Sequence, residues 1–125
     1  MKLKISMTLH LTLKYRWFEM IESGIKREEY RSIKRFWISR LLSNIEYLTT
    51  EQDIQAVSPV FKPFTHVKFT LGYQRNAPTM TFAIEGVDIG PAKPEWSDNW
   101  PGNVFRIKIG ERIEETTNTP EAGEK

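Results

Sequence analysis

Cysteine is absent from the 125-residue chain, and histidine occurs only twice, as His10 and His66. Without thiols there is no disulfide, no thiolate metal site and no cysteine nucleophile. Two imidazoles do not make a histidine-rich metal site; no metal and no cofactor is expected. No stretch approaches the ~18 apolar residues of a membrane span, and no membrane association is expected. The N-terminus, "MKLKISMTLHLTLK", carries lysines as a signal peptide would, yet it alternates polar and apolar residues. It has no continuous apolar block and no small-residue cleavage site, so it reads as a strand and the protein as cytoplasmic. The length is one domain's worth of material with a single modest core, expected as a monomer.

Charge is unevenly distributed. Residues 1–40 hold ten Lys/Arg against four Glu, residues 41–110 hold six against seven acids, and the tail from Glu111 holds two against five. A basic N-terminal third suits an anionic partner such as nucleic acid or a nucleotide. The same imbalance also arises as an accident of composition.

From Lys2 to Lys14 the alternation is strict, with Leu3, Ile5, Met7, Leu9, Leu11 and Leu13 on one face: a half-buried strand, with His10 on its polar face. In "YRWFEMIESG", Trp17, Met20 and Ile21 share a helical stripe and Gly24 is placed to end the helix. Lys26–Arg31 reads as a strand. "SIKRFWISRLLSN" reads as a second helix with Ser32 as N-cap and Ile33, Phe36, Trp37, Arg40 and Leu41 along one side. Lys34, Arg35 and Arg40 make that helix basic. Residues 44–63 read as a polar connection with a short helical turn. "THVKFTLGY", "TMTFAIEGVDIG" (bent at Gly86) and "NVFRIKIG" then read as strands separated by Pro-, Asn- and Gly-rich loops. Trp17, Phe36 and Trp37 are assigned to the core. Residues 111–125 read as a disordered acidic tail, leaving one domain over 1–110. The fold class is α+β: a small, partly closed β-barrel with two short helices after the first strand, an arrangement that protects its edges.

The stretch Ser23–Arg31, "SGIKREEYR", concentrates three bases and two acids beside a glycine. Together with "WFEMIESGIKREEYRSIKRFWISRL", "HVKFTLGY", "NAPTM", "KPEW" and the closing "IKIG", it resembles an ASCH-domain protein of the PUA-like superfamily, of the small stand-alone bacterial and phage type. The likeness covers residues 7–110. Its most specific part is a glycine with lysine two, glutamate five and arginine seven positions later: Gly24, Lys26, Glu29 and Arg31. The resemblance implies a PUA-like pseudo-barrel with a cleft beside the helix-to-strand turn, and RNA or modified-nucleotide binding. Some such proteins deacylate N4-acetylcytidine and others are described as ribonucleases. In the amidohydrolase type the lysine acts with a threonine three residues further and a separate glutamate. Lys26 matches the lysine, but Glu29 stands at the threonine position. Glu85, Asp88 and Glu95 remain candidates for the further acid.

On the residues themselves, a carboxylate at Glu29 accepts from a base edge while Arg31 offers a donor fork to carbonyl or phosphate oxygens. Pleat alternation puts Glu29 and Arg31 on one face and Lys26 on the other. Convergence of all three therefore requires Lys26 to sit in the turn after Gly24. Two readings stay open, a ligand pocket and an internal salt bridge bracing the barrel mouth. Tyr73 and Trp96 are candidate pocket walls able to stack a base, Trp100 is read as structural, and Lys34 and Arg35 as attracting phosphate. The resulting expectation is an RNA or modified-nucleotide binding module using Lys26, Glu29, Arg31, Tyr73 and Trp96. The alternatives are a hydrolase of N4-acylated cytidine or a ribonuclease, with Lys26 and Glu29 catalytic, and a protein-interaction domain using the helix at Lys34–Arg40.

Overall fold

The N-terminal alternation is realised over Thr8–Leu13, strand β1, where Leu9, Leu11 and Leu13 are buried and His10 is exposed. This computed structural model describes residues 5–43 and 50–113. After β1 come α1 (Tyr15–Glu22), β2 (Glu28–Arg31), α2 (Arg35–Leu41) and α3 (Glu51–Ala56). They are followed by β3 (His66–Leu71), β4 (Thr79–Pro91), a 3-10 turn at Pro94–Trp96 and β5 (Asn103–Ile113). The strands form one mixed sheet in the order β1-β3-β4-β5-β2, curled into a half-barrel. Only β1 and β3 run parallel. The edges of the curl are β1 and β2, which share no ladder among the described residues, so the barrel has an open seam.

The core fills the curl. Leu9, Leu11, Phe18, Ile21, Val67, Phe69, Phe82, Phe105, Ile107 and Ile109 pack with Ile38, Leu41, Leu42 and Ile54 from the helical segments. Helix α1 ends as the sequence implies: Gly24 takes φ +86°, the Gly24 N–H donates to the Ile21 carbonyl and the Ile25 N–H to that of Met20. This double closure is the Schellman geometry, which favours a residue without Cβ.

Three expectations are corrected. Ser32 is not the cap of α2; the helix starts at Arg35, with Lys34 at the N-cap position and no side-chain cap bond. Its buried stripe is accordingly rotated onto Ile38 and Leu41, and Phe36, expected in the core, is 54% exposed. The bend expected at Gly86 lies inside β4, which runs on to Pro91 and carries register shifts between Phe82 and Gly86 as bulges. Finally, β2 begins at Glu28, leaving Lys26 and Arg27 in the connection before it. The helical turn expected within 44–63 is α3, capped by the Thr50 side chain accepting from the Asp53 N–H. Strand β5 runs through Ile113, three residues past the expected domain edge. The rest of the tail, 114–125, lies outside the described residues, as do 1–4 of the first expected strand. No helix among the described residues is long and apolar enough to cross a membrane.

Candidate functional site

The Schellman closure of α1 also aims the first charged side chain. The Lys26 N–H shares the Met20 carbonyl with that of Ile25, both at 3.0 Å, which turns the chain before the pleat of β2 begins. Lys26 is thereby free to point inward, and the condition for convergence is met. Its Nζ lies 3.1 Å from Glu29 Oε1 and donates to the Trp96 carbonyl. Two rings enclose it, Trp17 at 4.3 Å and Tyr30 at 4.9 Å from their centroids. Only 2% of Lys26 is exposed. Burial pushes its pKa below the usual 10.5, with the Glu29 carboxylate opposing that shift.

Glu29 and Arg31 share the inward face of β2, opposite Ile107 and Phe105 of β5. Glu29 Oε2 accepts from Arg31 Nη1, while Oε1 makes the ion pair with Lys26 but no well-directed hydrogen bond. Arg31 Nη1 also donates to its neighbour's carbonyl, Tyr30 O, at 2.7 Å, and Nη2 reaches Thr12 O at 3.0 Å. Thr12 belongs to β1, so this guanidinium spans the seam between the two edge strands. Its carbon lies 5.1 Å from the Trp37 ring centroid.

The opposite face of β2 is a separate polar ladder. Tyr30 donates to Glu28 at 2.8 Å and accepts from the Lys93 N–H at 3.2 Å, and burial raises its pKa above 10.0. Asp88 accepts two hydrogen bonds from Arg106, at 2.7 and 2.8 Å, which hold its carboxyl below the usual range. The Arg106 guanidinium lies over Gly90, where an added Cβ would collide with Arg106 Cζ.

The space beside Lys26 and Glu29 is about 30 Å³, lined by Trp17, Tyr30, Trp96, Ser97, Asp98 and Trp100. That is room for about one water molecule and not for a nucleobase. The larger space lies across Arg31, at the seam: a cleft of about 580 Å³ walled by His10, Thr12, Arg31, Ser32, Phe36, Trp37, Arg40, Tyr73 and Trp100. The candidate residues are therefore divided. Lys26, Glu29 and Trp96 line the small space, whereas Arg31 and Tyr73 line the cleft. The Glu29–Arg31 hydrogen bond connects the two. Lys34 faces a different hollow of about 470 Å³ beside Pro101 and Asn103, and Arg35 is exposed and lines none of these spaces.

Sequence reasoning missed Arg40 and Trp37 as cleft walls, having read the first as solvated charge and the second as core. Trp100, read as structural, borders the cleft, the small space and the hollow by Lys34. Of the acids, Asp88 is bound to Arg106, while Glu85 and Glu95 are exposed and line none of these spaces. Asp98 is the carboxylate that joins Glu29 around Lys26. Its position between two tryptophans in "EWSDNW" was the available signal. No group of three or more His, Cys, Asp or Glu among the described residues is placed to hold a metal.

The lowered lysine has a measurable consequence. Between its folded-state pKa and 10.5, the unfolded chain binds more protons than the folded one. Stability contributed by Lys26 therefore rises with pH across that window, is complete above 10.5, and is lost as pH falls through the folded-state value. Tyr30 acts oppositely, its contribution being lost as pH rises above 10.0. Urea midpoints across an alkaline series should show the Lys26 rise in the wild type and not in Lys26→Met, with the Tyr30 fall common to both. Parallel curves would remove Lys26 as the titrating group. Comparison of the chain with protein-family models, with characterised proteins and with solved structures finds no match, so the chemistry of this site rests on its own residues.

Proposed function

We propose that the chain is a PUA-like binding module that recognises RNA or a modified nucleotide in the cleft at its open seam. The observation that carries this is the composition of the cleft: four aromatic side chains, the guanidinium groups of Arg31 and Arg40, His10, and no carboxylate among the described residues. Aromatic faces stack bases whatever their sequence, and guanidinium forks match phosphate and carbonyl oxygens. Tyr73 is 94% exposed and Trp100 38%, so both rings are open to a ligand. The resemblance to ASCH domains points the same way. Glu29 then serves from behind, orienting Arg31.

A hydrolytic reading is favoured by one feature, the buried Lys26 with its lowered pKa beside Glu29 and Asp98. The 30 Å³ space leaves no room for an acylated base there unless Trp100 moves, and Glu29 in place of threonine removes the hydroxyl. Recognition is the better account.

The test is an amide-resolved NMR titration with a panel of nucleosides, N4-acetylcytidine included, and a short single-stranded RNA. Saturable shifts are expected at Thr12, Arg31, Tyr73 and Trp100, with affinity falling as salt rises. Trp100→Ala should weaken binding by about 1–3 kcal/mol. Loss of the acetyl signal would instead establish the hydrolase. A silent cleft, with charge reversal at Lys34 and Arg35 breaking a protein complex, would establish an interaction domain.

A further inference from the structure

Beside the seam cleft lies a second hollow of about 440 Å³, lined by Thr8, Leu9, Ser39, Lys62 and Phe64 and sharing His10, Phe36 and Arg40 with the first. We propose that the two are successive subsites for one strand. The ligand would be a single-stranded oligonucleotide of at least two nucleotides, its linking phosphodiester lying over Arg40. This rests on the nucleotide reading above and extends it from one base to a strand.

Three observations carry it. The shared walls make the hollows one groove along β1: Thr8 borders the second, Thr12 the first, and His10 both. Those alternate residues share one face of the strand and span about 13 Å, a length that one base does not fill. At the saddle, the Arg40 guanidinium carbon sits over the Phe36 ring, 4.2 Å from its centroid, and Phe36 is 54% exposed. Among the described residues Arg40 has neither a carboxylate nor a hydrogen-bond partner, and the Phe36 ring holds the cation in place for a phosphate. Charge matches along the whole groove. Lys62, held by a 2.9 Å hydrogen bond from its Nζ to Ser39 O, adds a cation at the far end. Neither hollow carries a carboxylate among the described residues. Phe64 supplies the second subsite with an aromatic wall as Tyr73 and Trp100 supply the first. A peptide strand added to the edge of β1 would have no use for this run of cations, whereas a polyanion would.

The experiment is a length series with the intact protein: ribonucleoside monophosphates, dinucleotides and tetranucleotides, titrated by calorimetry against wild type and Lys62→Ala over several salt concentrations. Affinity is expected to rise roughly tenfold to a hundredfold from mononucleotide to dinucleotide, the worth of stacking one further base. Lys62→Ala should lower oligonucleotide affinity and reduce its salt slope by about one, with a smaller loss for mononucleotides, whose contacts in the seam cleft do not include Lys62. Equal affinity across the series, or a Lys62→Ala loss shared equally by mononucleotides, would overturn the two-subsite groove while leaving the nucleotide reading intact. Binding of neither class would overturn both.

Discussion

Replacing Glu29 by alanine is expected to destabilise the protein by about 3–5 kcal/mol, the cost of leaving a buried charge without its partner. Glu29 is buried between two cations, its Oε1 3.1 Å from Lys26 Nζ and its Oε2 bonded by Arg31. With the carboxylate gone, an ammonium that is 2% exposed would face a guanidinium with no anion between them. Lys26→Met should behave very differently. It removes the buried charge itself, keeps an unbranched apolar chain against Trp17 and Tyr30, and leaves Glu29 bound to Arg31. Its expected cost is smaller, about 1–3 kcal/mol, because Arg31 still neutralises Glu29 while Glu29 Oε1 and the Trp96 carbonyl lose their donor. The double variant Glu29→Ala with Lys26→Met should therefore recover much of the stability lost by Glu29→Ala alone. Urea unfolding of the three proteins measures this directly. A Glu29→Ala loss below about 1 kcal/mol, the scale of an exposed pair, would mean the cluster is solvated in solution and is no internal bond.

The parts of this site that were legible in the sequence are those fixed by local chemistry. Alternation located β1, the stripe of Trp17 and Ile21 located α1, and Gly24 marked its end. Pleat alternation requires Lys26 to lie in a turn to meet Glu29 and Arg31, and it does. What was hidden depends on distant pairing and on loop paths. Nothing near Arg31 indicates that its strand pairs with β5 and ends beside β1, so the seam and its cleft were out of reach. A seven-residue helix without a side-chain cap gives periodicity no fixed origin, so the sequence pattern assigns Phe36 to the core whereas the residue stands exposed on the groove. Trp96 lines the small space beside Lys26, while Trp100, which the sequence assigns a structural place, also borders the cleft. Asn99 at φ +57° and Gly102 at φ +75° turn the loop on either side of Trp100, and the ring enters the seam. The carbonyl of Trp96 is what the buried lysine uses, and a carbonyl has no sequence signature.

Arg31→Lys is expected to cost about 1.5–3 kcal/mol of stability, the range for a hydrogen bond to a charged group, and to weaken nucleotide binding with it. The substitution keeps the charge, and so isolates what the guanidinium shape contributes. Arg31 serves three acceptors from one planar group: Glu29 on its own strand, the Tyr30 carbonyl, and the Thr12 carbonyl across the seam. A lysine ammonium lacks the two forked nitrogens that meet Glu29 and Thr12 separately, and the buried carboxylate has the stronger claim on its single nitrogen. The seam between β1 and β2 then loses its bridge, and the cleft wall formed by Thr12, Arg31 and Trp37 loses its spacing. Unfolding in urea, amide exchange along β2 and RNA affinity, measured on the same variant, separate the two readings of the charged stretch. A full loss of affinity with unchanged stability and exchange would make Arg31 a ligand contact alone. A loss of stability with wild-type affinity at saturating folded protein would make it a brace alone. Faster exchange in β2 together with weakened binding is the expected result, because the same nitrogen atoms that close the seam also shape the wall against which a nucleotide would rest.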